Sequence, residues 1–403
     1  MSPATSIATK SLLFTQEKSA LAKNKSQDLF IGIPKEVSYQ ENRVALTPDA
    51  VSILTKNGHK IKIESGAGQA ANFTDNQYSE AGAEIVHSSQ EVFKADIILK
   101  IEPLVAEELD LLQMGQTLIS TLNLPSLEKE YFDILLKKRI TCIGFEFLED
   151  KAGDLPIVRA MSEIAGSSSV LIASEYLSTE RSGRGMLLGG ITGVPPTSVV
   201  IIGAGTVAEY AARTALGLGA EVKVFDTHLY RLQRLKYAVG HGIYTSIIDS
   251  VSLSKALCEA DVVIGSMRAE KGLSPMVVDD TMVQKMKEGS VIIDVAIDHG
   301  GCIETSRMTS LDKPVFVRHG VIHYCVPNIA SRVAHTASTA LSNIFTPTII
   351  KIGNLGGVEE MILSNQWFMK GVYAYKGNVT NMYISKKYNL RYRELGLLLA
   401  ARF

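Results

Sequence analysis

Apolar residues along this chain come in short, nearly unbroken runs separated by polar, helix-like stretches. The first run, LFIGIPKE (29–36), predicts a strand that stops at Pro34. Next, Thr47-Pro48-Asp49 reads as an N-cap, a proline at the first helical position and an early acid. In that helix Val51, Ile53 and Leu54 supply the apolar face. Further strands are expected at 60–65, 84–86, 96–103, 117–122 and 140–148, with a Gly-rich loop at 66–73 and a helix from about Ser126. Such β/α alternation predicts a parallel sheet.

From Met161 the pattern changes. Residues 161–180 read as one long helix rich in small residues, able to pack close to other backbones and to bridge two domains. A Gly-rich loop, SGRGMLLGGITGVPP (182–196), leads to a second set of strands at 198–205, 220–226, 261–266, 290–298 and 315–320. The last hundred residues hold a small-residue helix at 335–352 and two or three further helices. The expected fold is α/β: two Rossmann-like, doubly wound domains with an interdomain cleft. A closing helical segment commonly folds back on the first domain, so that domain is expected to be discontinuous, 29–156 with 335–403. The second is expected at 157–334. Residues 1–28 read as an N-terminal extension, mixed and polar, without the apolar core of a signal peptide.

Composition narrows the class. At 403 residues two domains are the prior. The net charge of −1, with no long basic run, argues against nucleic acid as a partner. Cys142, Cys258, Cys302 and Cys325 are scattered, which points to a reducing cytoplasm and away from a metal or a disulfide frame. No apolar run approaches the ~20 residues that span a bilayer, so no membrane is expected either.

The strongest motif is VVIIGAGTVAEYAARTALGLGAEVKVFD (199–226). Gly203-x-Gly205-x-x-Ala208 follows a strand and opens a helix through Thr206 and Val207. Gly203 permits the tight turn, Gly205 lets a pyrophosphate approach the backbone, and Ala208 keeps the helix near the sheet. Asp226 ends the next strand about 20 residues on, where an acid accepts hydrogen bonds from the adenosine ribose. It also repels a 2′-phosphate, which favours NAD over NADP. Arg231 and Arg234, on the following helix, weaken that preference; solvated helix charges are the competing reading.

Beyond this motif the chain resembles the alanine dehydrogenase / transhydrogenase α-subunit family from about residue 30 to 380. The resemblance is carried by GIPKE (32–36), ENRVALTP (41–48), ESGAG (64–68), MSEIAG (161–166), VIIGAGTVA (200–208), IDHGGCIETS (297–306) and YCVPNI (324–329). It implies reversible NAD-linked oxidative deamination of L-alanine to pyruvate and ammonia, a small amino or keto acid as substrate, and a homo-oligomer, dimer or hexamer. Within the family the dehydrogenase branch is favoured by Glu163, by IDHGGCIE (297–304) and by the absence of a long insertion between Asp226 and Asp261. A transhydrogenase α-type subunit is one alternative. An NAD(H)-binding relative with another amino or keto acid substrate, or with a regulatory role, is the other.

The resemblance assigns roles by position. Arg43 matches the arginine that holds the substrate carboxylate, a task suited to a planar, always-charged fork. Asp298 matches the acid beside the nicotinamide and is expected at the end of strand 290–298, with Asp294 structural. Asn328 matches an asparagine near the nicotinamide, and Ser162, Ser266, Met267, Ile297 and Val326 match positions that line the cofactor. Two departures stand out. Where the family has Lys-x-Lys-Glu-Pro, this chain has KIEP (100–103), so Lys100 is either the substrate lysine in a shifted register or its non-catalytic neighbour. Where the family has its catalytic histidine, at the end of strand 117–122, this chain has Asn123. An amide donates and accepts hydrogen bonds but exchanges no proton near neutral pH. His299, beside Asp298, is the candidate substitute base.

Overall fold

A computed structural model of the chain describes residues 26–240, 242–268 and 273–401. Apart from residues 26–28, the expected N-terminal extension lies outside them. The chain divides into two compact units. One holds residues up to Glu36, Val44–Asp154 and Leu341–Phe403; the other holds Val37–Arg43 and Leu155–Ala340. The short segment Val37–Arg43 thus packs with the second unit, an exchange that chain order did not suggest.

In the first unit, β1 (Phe30–Ile33), β2 (Lys60–Glu64), β3 (Glu84–Val86), β4 (Ile97–Leu99), β5 (Thr117–Ser120) and β6 (Thr141–Gly144) pair in parallel. The β4, β5 and β6 residues are all buried, as expected for strands covered on both faces. Helix α1 (Pro48–Lys56) starts where its cap predicts, and the Thr47 hydroxyl accepts from the Ala50 amide at 3.4 Å. Its buried face is Ala50, Val51 and Leu54. Ile53 lies about 60° outside that arc and is exposed, contrary to expectation. The helix expected from Ser126 begins later, at Lys129, after a 3₁₀ turn over Leu124–Ser126.

In the second unit, β7 (Ser198–Ile202), β8 (Glu221–Asp226), β9 (Tyr244–Ile247), β10 (Val262–Gly265), β11 (Val291–Asp294) and β13 (Val321–Tyr324) are parallel, in the order β13-β11-β10-β7-β8-β9. Antiparallel β12 (Val315–Arg318) covers the β13 edge. The single strand expected at 315–320 is therefore a hairpin. Consecutive positive φ angles at His319 (52°) and Gly320 (75°) make the two-residue turn. Strand β9 was not expected; its YTSI sequence is only partly buried and carries a weak signal. The first sheet gained a similar addition from the C-terminal region expected to be helical. There β14 (Val372–Tyr375) runs antiparallel to β6, with β15 (Asn378–Val379) beside it.

Helix α2 (Pro156–Tyr176) starts on a proline, five residues before the expected point, and packs along α3 (Thr206–Gly217). The approach is close because position 166 is glycine. A Cβ there would stand 2.4 Å from the Val207 carbonyl oxygen, in the first turn of α3.

A buried charge cluster ties the ends of β1 and β4 together. Lys100 is fully buried, and its Nζ lies 3.2 Å from Glu36 Oε2 and 3.2 Å from Glu108 Oε2. Burial pushes the Glu108 carboxyl above the ordinary range, and Lys100 pulls it only partly back. Burial alone would lower the Lys100 pKa, but the two carboxylates outweigh it and raise it. Such a cluster specifies the strand ends more than it stabilises them.

Two outcomes follow from this packing. Gly166→Ala forces α2 and α3 apart and is expected to cost ~1–3 kcal/mol in urea unfolding, together with weaker dinucleotide binding measured by titration. Lys100→Met leaves two buried carboxyls without their cation and is expected to cost ~3–5 kcal/mol. A normally stable Lys100→Met protein that had lost only substrate affinity would return Lys100 to a binding role.

Candidate dinucleotide and substrate site

Strand β7 ends at Ile202, and the chain turns sharply through Gly203, whose φ is 103°. A side chain there would also press on Ser266, which donates from both its amide (2.8 Å) and its hydroxyl (2.9 Å) to the Ile202 carbonyl. Ala204 is held on both its flanking peptides. The Ala204 N–H donates to Asp226 Oδ2 at 2.7 Å, and Arg234 donates to the Ala204 carbonyl at 3.2 Å. At Gly205 a Cβ would meet nothing within 4 Å, so the face above it is open. Thr206 and Val207 then begin α3, and Ala208 is fully buried against the sheet. An open backbone face at a helix N-terminus fits a pyrophosphate.

Asp226 needs a correction. It was expected to offer its carboxylate to a ribose. It is 1% exposed, and its second oxygen accepts from the His228 amide at 2.8 Å. Its first task is therefore to fix the glycine turn, which leaves only its remaining lone pairs for a ligand. Arg231 turns to Tyr230, donating from Nε to the phenol oxygen at 3.0 Å. Ser162, on α2, is half-buried. The expected lining residues Met267, Ile297 and Val326 are buried apolar side chains. Met267 and Val326 belong to the packed core of this unit.

The acid after β11 is also corrected. Asp298 does not end the strand; it sits on a 3₁₀ turn over Val295–His299, capped by Asp294. Asp294 is the last strand residue, and it accepts from the amides of Ala296 (3.1 Å) and Cys302 (3.2 Å). Burial pushes its carboxyl up to about 6. Asp298 is open to solvent, and its Oδ1 accepts from the Asn328 amide at 3.0 Å. Crowding by surrounding atoms raises its pKa, while the Asn328 amide, Arg43 and Arg268 act against that rise. His299 is half-buried, and its ring makes no hydrogen bond among the described residues. Burial and Arg268 together hold its pKa below the usual value. On a 3₁₀ turn successive side chains diverge by about 120°, so it does not share a face with Asp298.

Arg43 belongs to the same neighbourhood through a partner that the sequence reading missed. Its guanidinium forms a two-pronged pair with Glu41, Nε to Oε1 at 2.7 Å and Nη2 to Oε2. Both side chains are buried. Burial raises the Glu41 pKa, but Arg43 and the hydrogen bond from Asn328 Nδ2 (2.8 Å) outweigh it, and the net shift is downward. Ser331 completes the anchor, donating to the Gln40 carbonyl at 2.6 Å and accepting from the Asn42 amide at 2.9 Å. The available signal was an acid two residues before the arginine in ENRVALTP.

In the first unit, Asn123 follows β5 in the left-handed region, φ 36° and ψ 53°, and is exposed. Its Nδ2 lies 3.5 Å from Glu102 Oε2. Glu146, just past β6, accepts from the Leu122 amide at 2.7 Å. Lys100, expected as either the substrate lysine or its non-catalytic neighbour, is sealed in the core between Glu36 and Glu108, which favours the second. Among the described residues no group of metal-ligating side chains is assembled, and no helix is long and apolar enough to cross a membrane.

With this geometry in place, comparison with known proteins is informative. Residues 32–165 match the model of the "Alanine dehydrogenase/PNT, N-terminal domain", and residues 169–382 match its C-terminal domain counterpart. An alanine dehydrogenase of Methanococcus maripaludis is 40% identical over 366 residues, 90% of this chain and 98% of that protein. One from Mycolicibacterium smegmatis is 37% identical over 373 residues, 92% of this chain and 100% of that protein. A solved L-alanine dehydrogenase superposes with a TM-score of 0.84 at 35% identity, covering 89% of this chain and 99% of that one. A transhydrogenase from Sinorhizobium meliloti shares the fold at TM-score 0.76 and 22% identity, over 88% of this chain and 99% of that one. The open glycine turn, the helix behind it and these full-length matches agree: the chain belongs to the alanine dehydrogenase/PNT family.

Proposed function

We propose that this protein is an NAD-dependent amino-acid dehydrogenase that reversibly deaminates a small L-amino acid, L-alanine first among candidates, to its keto acid and ammonia. The observation that carries the reading is an open dinucleotide turn in a chain that spans 98% of an alanine dehydrogenase at 40% identity. For alanine the balance is alanine, NAD⁺ and water to pyruvate, ammonium, NADH and a proton. The bound nicotinamide supplies the hydride acceptor at its C4.

Within this reading, Gly205 and the first α3 amides meet the pyrophosphate, and Asp226 meets the adenosine ribose with its remaining lone pairs. Arg43, held by Glu41 and with its Nη1 donating to the Met161 sulfur at 3.4 Å, supplies positive charge to the substrate carboxylate. Asp298, joined to Asn328, stands by the reacting nitrogen. His299 takes up the proton, since its depressed pKa keeps it neutral at pH 7. Asn123 positions the substrate and exchanges no proton. The same reading takes the working form to be a homo-oligomer, dimer or hexamer, in the cytoplasm, in keeping with its free cysteines.

One observation favours a second reading. With Asn123 unable to titrate and Lys100 sealed away, the chain would bind NADH yet act on another amino or keto acid, or regulate rather than turn over. An NADH-forming assay with L-alanine beside a panel of small amino acids separates the two. Alanine-dependent NADH formation is expected. Silence with alanine and turnover of another acid removes alanine as the substrate, and NADH binding with no turnover at all leaves the second reading. Asn123→His, which restores a titrating ring, is expected to raise alanine turnover, by up to the ~10²–10⁴-fold typical of such a group.

The His299 role has its own pH signature. The neutral ring is the working form, so activity falls as pH drops through the depressed pKa of His299. His299→Asn is expected to lose ~10²-fold or more in kcat and to lose that limb, the one below the usual histidine pKa. A variant with the limb intact would assign the proton to another group.

A further inference from the structure

We propose that Glu146 is a positioning residue for the reaction, holding the Asn123 corner in its working shape through a hydrogen bond that its own ionisation strengthens. The inference rests on the reading that Asn123 positions the substrate.

Strands β5 and β6 are parallel neighbours, with Ser120 paired to Gly144, so their ends lie side by side. Past β5 the chain turns through Leu122 and left-handed Asn123, which leaves two successive backbone N–H groups without strand partners. Past β6 a 3₁₀ turn over Phe145–Phe147 carries Glu146 to that place. Its Oε1 accepts from Leu122 N–H at 2.7 Å, and the Asn123 amide also favours its ionised form. A non-glycine residue at φ 36° is costly unless its surroundings fix it, and this carboxylate is such a restraint.

The same group is poised to titrate. Its Oε2 is buried with no hydrogen-bond partner among the described residues. Burial, the largest influence, pushes its carboxyl up to about 7. The amides of Leu122, Glu146 and Asn123 pull it down, and the Glu102 carboxylate, past the end of β4, pushes it further up. The sign follows. Above about pH 7 Glu146 is ionised and grips the Leu122 amide beside Asn123; below it the proton weakens that grip and the Asn123 corner loosens. Asn123 itself cannot respond to pH, so its neighbour makes the corner responsive. Because the carboxyl binds its proton more tightly in the folded chain than in the unfolded one, its ionisation is accepted at the expense of stability above pH 7. That is the pattern of a functional group rather than a stabilising one.

The test uses the full-length enzyme labelled with ¹⁵N-asparagine, the Asn123 amide being identified by its loss in Asn123→Ser. In the wild type that amide signal should shift with a midpoint near pH 7, and in Glu146→Gln the shift should vanish. Glu146→Asp, which keeps the charge, should retain a titration. In turnover, Glu146→Gln should lower kcat about tenfold, in line with one charge-assisted hydrogen bond, remove the limb near pH 7 and leave the KM for NAD unchanged. A purely structural glutamate would not move the pH profile when replaced by its isosteric amide. An Asn123 amide that ignores pH around 7, or one that titrates unchanged in Glu146→Gln, overturns the inference. The amide titration requires no turnover. An enzyme inactive on every amino acid whose Asn123 amide still titrates through Glu146 would therefore disprove the functional reading and leave the titrating contact standing.

Discussion

Every strand that pairs in parallel with its neighbours ends on the same side of the sheet, and the polar residues of this protein gather at those ends. In the first unit the ends of β1, β4, β5 and β6 deliver Glu36, Lys100, Glu102, Asn123 and Glu146. In the second, the ends of β7, β8, β10 and β11 deliver the glycine turn, Asp226, Ser266 and the Val295–His299 turn. Backbone amides that have lost their strand partners there must be satisfied, and side-chain carboxylates satisfy many of them.

The carboxylates reach different states by the same physics. Glu41 is buried but meets a guanidinium fork and an amide donor, and its pKa falls. Glu108 is buried beside a lysine shared with Glu36, and its pKa rises. Glu146 has backbone amides as partners and a like charge nearby, and it rises to about 7. Burial raises all of them; what differs is the charge and number of donors on the other side. Asp226 illustrates the structural use of such a group. It fixes Ala204 and so helps to shape the turn that leaves the face over Gly205 open.

The nucleotide half was readable because its signals are local. A strand, a glycine turn, a helix and an acid at fixed spacing each carry their own reason, and together they define a short βαβ stretch. The long small-residue helix was equally legible, and Gly166 shows why its residues are small. The errors came where partners are distant in sequence. Asp298 was expected to end a strand because VIIDVAID is apolar but for its two acids, yet Asp294 caps a turn and ends the strand early. β14 was missed because it depends on a distant neighbour to pair with, and β13 because the turn at His319 and Gly320 carries little local signal.

The sequence by itself determined the two α/β units and the dinucleotide turn, because each is written in contiguous residues whose chemistry is local. Tertiary structure alone decided which charges remain accessible. It sealed Lys100 between acids eight residues ahead of and more than sixty behind it in the chain. It set Arg43 against Glu41 and Asn328, and it brought Glu146 to the amides beside Asn123. Burial and partner geometry are properties of the folded neighbourhood, and no single stretch of chain specifies them.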